Sequence, residues 1–133
     1  MIVDASVWVS ALVAQDAGHS ASLQWLRERM AAGGALIVPA LALAEVAGAI
    51  ARRTGSSSLG RQATQEIRQA LGLQVVSLDA ELGAAAAVVA ADLHLRGADA
   101  VYVAVAHTLN VPLITWEQEL RTRAAGLVEV LHP

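Results

Sequence analysis

The chain has 133 residues, a length typical of one domain with a substantial core, and 56% of them are hydrophobic. No apolar run approaches the ~20 residues of a membrane-spanning helix, and no signal peptide is visible at the start. The lack of cysteine excludes disulfides and thiolate metal sites, in agreement with a cytoplasmic location. The net charge of −3 does not favour nucleic-acid binding, because contacts with phosphate groups require positively charged side chains.

In the first half of the chain, short apolar runs alternate with segments of helical periodicity. Gly33-Gly34 is predicted to end the second helix and Pro39 to close the second strand. The predicted elements are a strand in MIVDAS (1–6), a short helix in VWVSALV (7–13), an amphipathic helix over 19–33, a strand in ALIVP (35–39) and a helix over 40–53.

The second half continues the alternation after RTGSSS (53–58), a polar connector too short to separate two domains. Asp79 is predicted to cap a long alanine-rich helix, and Asn110 to end the helix after it. The predicted elements are helix Leu59–Leu71, strand 73–79, helix Ala80–Leu95, helix 97–109, strand 111–115, helix 116–124 and strand 127–131.

Short apolar strands that alternate with helices predict an α/β sandwich with a mostly parallel central sheet, in a single domain over 1–133. Parallel α/β sheets bind ligands at the carboxyl ends of their strands. Residues that directly follow each strand are therefore the first candidates for a site.

Glu45 lies in an unusual place for a carboxylate. It is the only charged residue between Pro39 and Arg52, in a helix otherwise made of Ala, Leu, Val, Ile and Gly. Such a helix is normally buried, and an unpaired buried carboxylate is costly. Three explanations are therefore open for Glu45: it is an acid on a partly exposed helix, an acid paired with an arginine, or a carboxylate that is buried because it binds a cation.

Asp4, Asp99 and Glu117 each have an ordinary structural explanation as acids at helix starts. Asp4 and Glu117 also follow strands, however, and a parallel sheet can bring such acids and Glu45 into one crevice. Converging carboxylates repel one another unless a cation neutralises them, and oxygen ligands suit Mg²⁺ or Mn²⁺.

Over nearly its whole length the chain resembles the PIN-domain nucleases, and within them the VapC toxins of VapBC toxin–antitoxin pairs. Four blocks occur in the order typical of that family: IVDASVW, VPALALAEV, LRGADAVYVAVA and PLITWEQEL. The resemblance implies a three-layer α/β/α sandwich. Asp4, Glu45 and Asp99 match the three core acids of the family, Ser6 matches the hydroxyl that supports the first acid, and Thr115 matches the Thr that ends the fourth strand.

One position departs from the family pattern. The family usually has Asp two residues after the strand-ending Thr, whereas this chain has Glu117. Its longer side chain either reaches the metal, directly or through water, or leaves a second metal site weakened, and Glu119 is an alternative. Arg96, just before Gly97, is the arginine expected to face the site and contact RNA.

The resemblance further implies an endoribonuclease that hydrolyses RNA phosphodiester bonds with a metal-activated water, with Mg²⁺ or Mn²⁺ as cofactor. It implies a cognate VapB-like antitoxin and a homodimer, with no membrane partner. The alternative is a non-catalytic PIN-like module that binds RNA or a partner without cutting. The sequence does not select the RNA.

The sequence leaves two interpretations open for the arginines around the connector. Arg52, Arg53, Arg61 and Arg68 surround the connector, either as a rim that binds phosphate or as solvated helix ends. Several established chemistries are excluded, because the chain has no P-loop, no G-x-G-x-x-G turn and no H-E-x-x-H helix. The lack of any lysine argues against a phosphorelay receiver.

Overall fold

A computed structural model describes residues 1–133 as seven helices and five strands. No helix in it combines the length and apolar character needed to cross a bilayer. In chain order the elements are β1 (Ile2–Val3), α1 (Ala5–Leu12), α2 (His19–Ala31), β2 (Leu36–Pro39), α3 (Leu41–Thr54), α4 (Ser57–Arg68), β3 (Leu73–Val76), α5 (Ala80–Leu93), α6 (Gly97–Leu109), β4 (Leu113–Ile114), α7 (Gln118–Ala124) and β5 (Val130–Leu131).

The strands form one sheet in the order β3-β2-β1-β4-β5, and every neighbouring pair is parallel. The expected α/β/α sandwich with a parallel sheet is thus confirmed. Ile2 of the central strand β1 is in register with Ile37 of β2 on one side and Leu113 of β4 on the other. The chain order reverses between β1 and β4, which is where open parallel sheets form their ligand crevice.

The burial of each strand agrees with its position in the sheet. Strands β1, β2 and β4 are buried along their whole length, as expected for apolar runs covered by helices on both faces. Helix α6 lies against all three, and its residues 100–106 are all buried. The edge strands β3 and β5 are more exposed. The residues that directly follow β1 and β4 therefore stand at the end of the most buried part of the sheet.

Several predicted boundaries shift by a few residues. The connector reduces to Gly55 and Ser56, because α4 begins early at Ser57 and the Ser56 hydroxyl accepts a hydrogen bond from the Leu59 N–H. Helix α5 ends at Leu93 rather than Leu95, since His94 adopts a left-handed conformation (φ 54°) and Leu95 turns into the core. The predicted caps at Asp79 and Asn110 are confirmed.

Gly60 is predicted to be essential for the packing of α4 against α3. A Cβ added there would lie 2.5 Å from the Ala47 carbonyl oxygen, a backbone atom that cannot move aside. Gly60→Ala should lower the free energy of unfolding by about 1–3 kcal/mol, measured by urea denaturation. Gly83→Ala in α5 is the matched control, because an added Cβ meets nothing within 4 Å and should raise stability by about 0.5–1 kcal/mol.

Candidate active site

A cavity of about 540 Å³ opens at the carboxyl ends of β1 and β4, where the strand order reverses. Four of the five acids that the sequence analysis considered as metal ligands line this cavity, and only Glu119 does not. The four come from separate parts of the chain. Asp4 follows β1, Glu45 lies on α3, Asp99 lies on α6 and Glu117 precedes α7. Ser6 and Arg96 line the same cavity.

Asp4 is almost completely buried, with 5% of its surface exposed. The hydroxyls of Ser6 and Thr115 each donate a hydrogen bond of 2.6 Å to its Oδ2 atom. Burial raises the pKa of Asp4, the two hydrogen bonds oppose that rise, and the charges of Glu117 and Asp99 add to it. Asp4 occupies the N-cap position of α1 but makes no capping bond, so its carboxylate does not serve the helix.

Ser6 and Thr115 also connect Asp4 to the loop after β4. The Ser6 hydroxyl accepts a hydrogen bond from the Trp116 N–H (3.1 Å), and the Thr115 hydroxyl accepts one from the Glu117 N–H (3.0 Å). Each hydroxyl thus donates to the acid and accepts from the backbone, which fixes the orientation of its single proton. The positions of Asp4 and of the Glu117 backbone are therefore coupled.

Glu45 is half-buried, and the Tyr102 hydroxyl donates a 2.6 Å hydrogen bond to its Oε2 atom. Burial raises the pKa of Glu45, the tyrosine opposes the rise, and the charges of Asp4 and Asp99 contribute to it. Burial and the charges of Asp4 and Glu45 raise the pKa of Tyr102 far above its usual range, so the phenol remains a hydrogen-bond donor. Glu45 forms a hydrogen bond with Tyr102 and no ion pair with an arginine, so the arginine alternative is wrong, whereas α3 is a partly exposed helix, as another alternative assumed.

Asp99 is the third residue of α6, which begins at Gly97, so it is not the N-cap. Its Oδ2 atom accepts a 2.9 Å charge-assisted hydrogen bond from Nε of Arg96. The hydrogen bond and charge of Asp99 raise the pKa of Arg96, whose side chain is 72% exposed. Arg96 thus lies at the rim of the cavity, on the solvent side of the acid.

The two acids after β4 differ in position. Glu117 lines the mouth of the cavity, is exposed and makes no side-chain hydrogen bond or ion pair. Glu119 forms a 2.9 Å ion pair with Arg123 and does not line the cavity. Only Glu117 is placed to join the other carboxylates.

Three acids share one pattern of hydrogen bonding. In Asp4, Glu45 and Asp99 one carboxylate oxygen accepts from the protein, while the second oxygen accepts no hydrogen bond and is not sealed in the core. These second oxygens supply the hard donors that divalent cations prefer. No three acids or histidines are close enough, as placed, to ligate one ion. The free carboxylate oxygens are therefore ligands of the chemical kind that such an ion prefers. The three side chains would have to move closer together to bind one ion.

Two polar residues of the cavity were not identified from the sequence, and two others belong to the four arginines for which a phosphate-binding rim was one alternative. Ser10 and Asp16 line it together with Arg52 and Arg53. Of the four arginines around the connector, Arg52 and Arg53 line the cavity, whereas Arg61 and Arg68 lie elsewhere on α4. Asp16 gives no sequence signal, since it lies between two helices in an ordinary polar loop.

Comparison with known proteins identifies the family of the chain. The family model described as PIN domain matches residues 1–125. The chain belongs to the PIN-domain family. No curated protein sequence shows significant similarity to it.

Solved structures of similar fold align over nearly the whole chain. VapC20 of Mycobacterium tuberculosis, described as a sarcin-ricin-loop-cleaving toxin, is 23% identical with a TM-score of 0.74, over 98% of both chains. VapBC2 of Rickettsia felis, bound to a promoter DNA fragment, is 12% identical with a TM-score of 0.72, over 99% of this chain and 97% of that one. FitAcB of Neisseria gonorrhoeae is 16% identical with a TM-score of 0.68, over 98% and 95%.

The raised pKa of Asp4 predicts that its charge destabilises the fold. Asp4→Asn keeps an oxygen acceptor for Ser6 and Thr115 and removes the buried charge, so it should raise the free energy of unfolding at neutral pH by about 0.5–2 kcal/mol. Below the unfolded-state pKa of 3.8, Asp4 is protonated in both states and the difference should vanish. Urea denaturation across pH measures this, and a less stable variant at neutral pH would contradict it.

Asp16→Asn is the control of opposite sign. The hydrogen bond from Arg53 is the main cause of the lowered pKa of Asp16, so its ionised form stabilises the fold. That contribution should be present at neutral pH and lost as pH falls through the lowered pKa.

Proposed function

We propose that this PIN-domain protein is a Mg²⁺- or Mn²⁺-dependent endoribonuclease, and the toxin of a toxin–antitoxin pair. The observation that carries the proposal is the convergence of Asp4, Glu45 and Asp99 on one cavity, each with an uncommitted carboxylate oxygen. Membership of the PIN family supports it. The cytoplasm, where RNA and an antitoxin would be met, is the proposed location.

In this proposal Asp4, Glu45 and Asp99 hold the metal ion, and Glu117 contributes at the mouth of the cavity. A bound Mg²⁺ or Mn²⁺ supplies a Lewis acid that activates water and stabilises charge on a phosphoryl oxygen. Burial of Asp4 and the mutual repulsion of the acids, expressed in the raised pKa values of Asp4 and Glu45, both favour a cation in the cavity.

The side chains of the protein perform the remaining tasks. Ser6 and Thr115 orient Asp4 so that Oδ1 is left for the ion, and Tyr102 does the same for Glu45 by occupying Oε2. A neighbouring carboxylate of the cavity would accept the proton of the attacking water. Arg96 is placed at the rim to contact the RNA.

The toxin assignment is supported by the solved complexes of similar fold. Their descriptions include VapBC2 from Rickettsia felis and a toxin–antitoxin complex from Klebsiella pneumoniae, the latter 16% identical with a TM-score of 0.69 over 98% of this chain and 94% of that one. By analogy we propose a VapB-like antitoxin as partner and a homodimer as the assembly. The RNA-cleaving description of VapC20 supports an RNA substrate.

The nuclease proposal predicts metal-dependent RNA cleavage that requires the acids. Asp4→Asn and Asp99→Asn should each lower the rate of RNA cleavage by at least about 10²-fold with Mg²⁺ or Mn²⁺, because each removes an anionic metal ligand. Glu117→Gln should have a smaller effect, since that acid is exposed at the mouth. Gel assays with several RNAs measure the rates.

Asp92→Asn is the matched control, because Asp92 is exposed on α5 and does not line the cavity of the acids. Its cleavage rate should equal that of the wild type. EDTA should abolish cleavage, and activity that survives EDTA or persists in both acid variants would contradict the metal mechanism.

The toxin proposal predicts growth arrest on induction of the wild-type chain. Asp4→Asn should relieve the arrest although its fold is retained, and co-expression of the cognate small antitoxin should also relieve it. Growth curves with RNA profiling measure both effects. Normal growth on induction of soluble wild-type protein would overturn the toxin assignment.

A non-catalytic RNA-binding module is the second candidate. It is favoured by Glu117 in place of the usual Asp and by the lack of three acids already spaced for one ion. Tight RNA binding without cleavage, across both metals and several RNAs, would select this alternative.

A further inference from the structure

The same cavity has a cationic wall that the proposed chemistry does not use. Arg52 and Arg53 both line it, at the C-terminal end of α3. Together with Arg96 they place three of the nine cationic side chains of the chain around this single cavity. A protein with a net charge of −3 thus presents a local concentration of guanidinium groups beside its carboxylates.

Arg53 is held in the wall by Asp16. Its Nη1 atom donates a 2.6 Å hydrogen bond to Asp16 Oδ2. The other oxygen of Asp16 accepts from the Ser10 hydroxyl (2.8 Å) and from the Gly18 N–H (3.0 Å). Asp16 is therefore fixed by α1 and by its own loop before it contacts Arg53, which retains its other guanidinium donors for a ligand.

Arg52 lies in the wall for a different reason. The Arg52 side chain folds back along the helix towards Gly48. Its Nη1 atom lies 3.0 Å from the point where a Cβ of Gly48 would stand, so the guanidinium uses the space that the absent side chain leaves. Arg52 makes no ion pair and no side-chain hydrogen bond with the protein, although it lines the cavity. The Arg52 guanidinium therefore has no partner in the protein, and it lies on the same face of α3 as Glu45.

The spacing along α3 separates this wall from the reacting centre. Glu45, Ala49, Arg52 and Arg53 share one helix face, as the helical repeat requires. The arginines follow Glu45 by two turns, or roughly 11 Å along the helix axis. Arg52 folds back by one turn towards Gly48, whereas Asp16 holds Arg53 at the far end of this face, so Arg53 is placed for a phosphate other than the one beside the acids.

We propose that Arg52 and Arg53 form a subsite for a backbone phosphate of single-stranded RNA, next to the phosphate that is cleaved, and that Asp16 is a positioning residue for Arg53. The inference rests on the proposed function for the identity of its ligand. It explains how a polyanion enters a cavity lined by five acids. Neither guanidinium group forms an ion pair with Asp4, Glu45 or Asp99, so both arginines keep donors for the strand and leave those acids to the metal ion.

The test is the binding of a fluorescein-labelled single-stranded RNA oligonucleotide, followed by anisotropy in EDTA over a range of salt concentrations. Arg52→Ala and Arg53→Ala should each weaken binding by roughly tenfold and lower the salt slope of log Kd by about 0.7, the value for one phosphate contact on a single strand. Arg61→Ala is the control, because Arg61 is exposed on α4 outside the cavity. It should leave both quantities unchanged.

Asp16→Asn tests the positioning role by the sign of its effect. The substitution removes a negative charge, so net charge alone predicts tighter RNA binding. Loss of the Arg53 anchor predicts weaker binding and a higher KM with kcat retained, while the asparagine oxygen still accepts from Ser10 and Gly18. Tighter binding would overturn the positioning role.

The outcomes separate this inference from the proposed function. Unchanged binding in both arginine variants, an equal loss in Arg61→Ala, or no measurable RNA binding by the wild type would overturn the subsite. RNA binding that depends on both arginines without any cleavage would support the subsite and refute the nuclease. Cleavage with KM unchanged in the arginine variants would refute the subsite alone.

Discussion

The buried charge of Asp4 is the constraint on which the site depends. It stands directly after the central strand, where helices cover both faces of the sheet and only 5% of the Asp4 surface is exposed. An anion in such a place is tolerated only with donors around it. Ser6 and Thr115 supply two, and through the backbone of Trp116 and Glu117 they tie the end of β1 to the loop after β4.

The same cavity combines groups of opposite charge, of which Arg53 with Asp16 and Arg96 with Asp99 form ion pairs. Asp4, Glu45 and Asp99 each use one carboxylate oxygen to accept from protein donors and leave the other oxygen open. The two arginines of α3 lie two turns away, one anchored by Asp16 and one unpaired. In the proposed function, one part of the cavity would bind the RNA strand and the other would meet the phosphate that is cleaved. Overall charge, which argued against nucleic-acid binding, does not describe this local field.

Much of the fold followed from short-range patterns. The Asp79 and Asn110 helix ends and the short apolar strands depend on neighbouring residues, so they can be derived from the sequence. Boundaries failed where tertiary contacts prevailed, as at Leu95, which turns into the core instead of extending α5. For the site, Glu45 was identifiable because a lone acid in an apolar helix is anomalous. Asp16 was not, because an acid in a polar loop is ordinary.

The sequence by itself determined the α/β class, the succession of elements and the identity of the acids, because periodicity and the position of a charge within an apolar run are local properties. Only the tertiary structure decided the strand order, the single cavity shared by acids from four parts of the chain, and the selection of Arg52 and Arg53 over Arg61 and Arg68. These depend on which side chains meet across the sheet and between helices. Contacts between residues more than a hundred positions apart, such as Asp4 with Thr115, have no local signature.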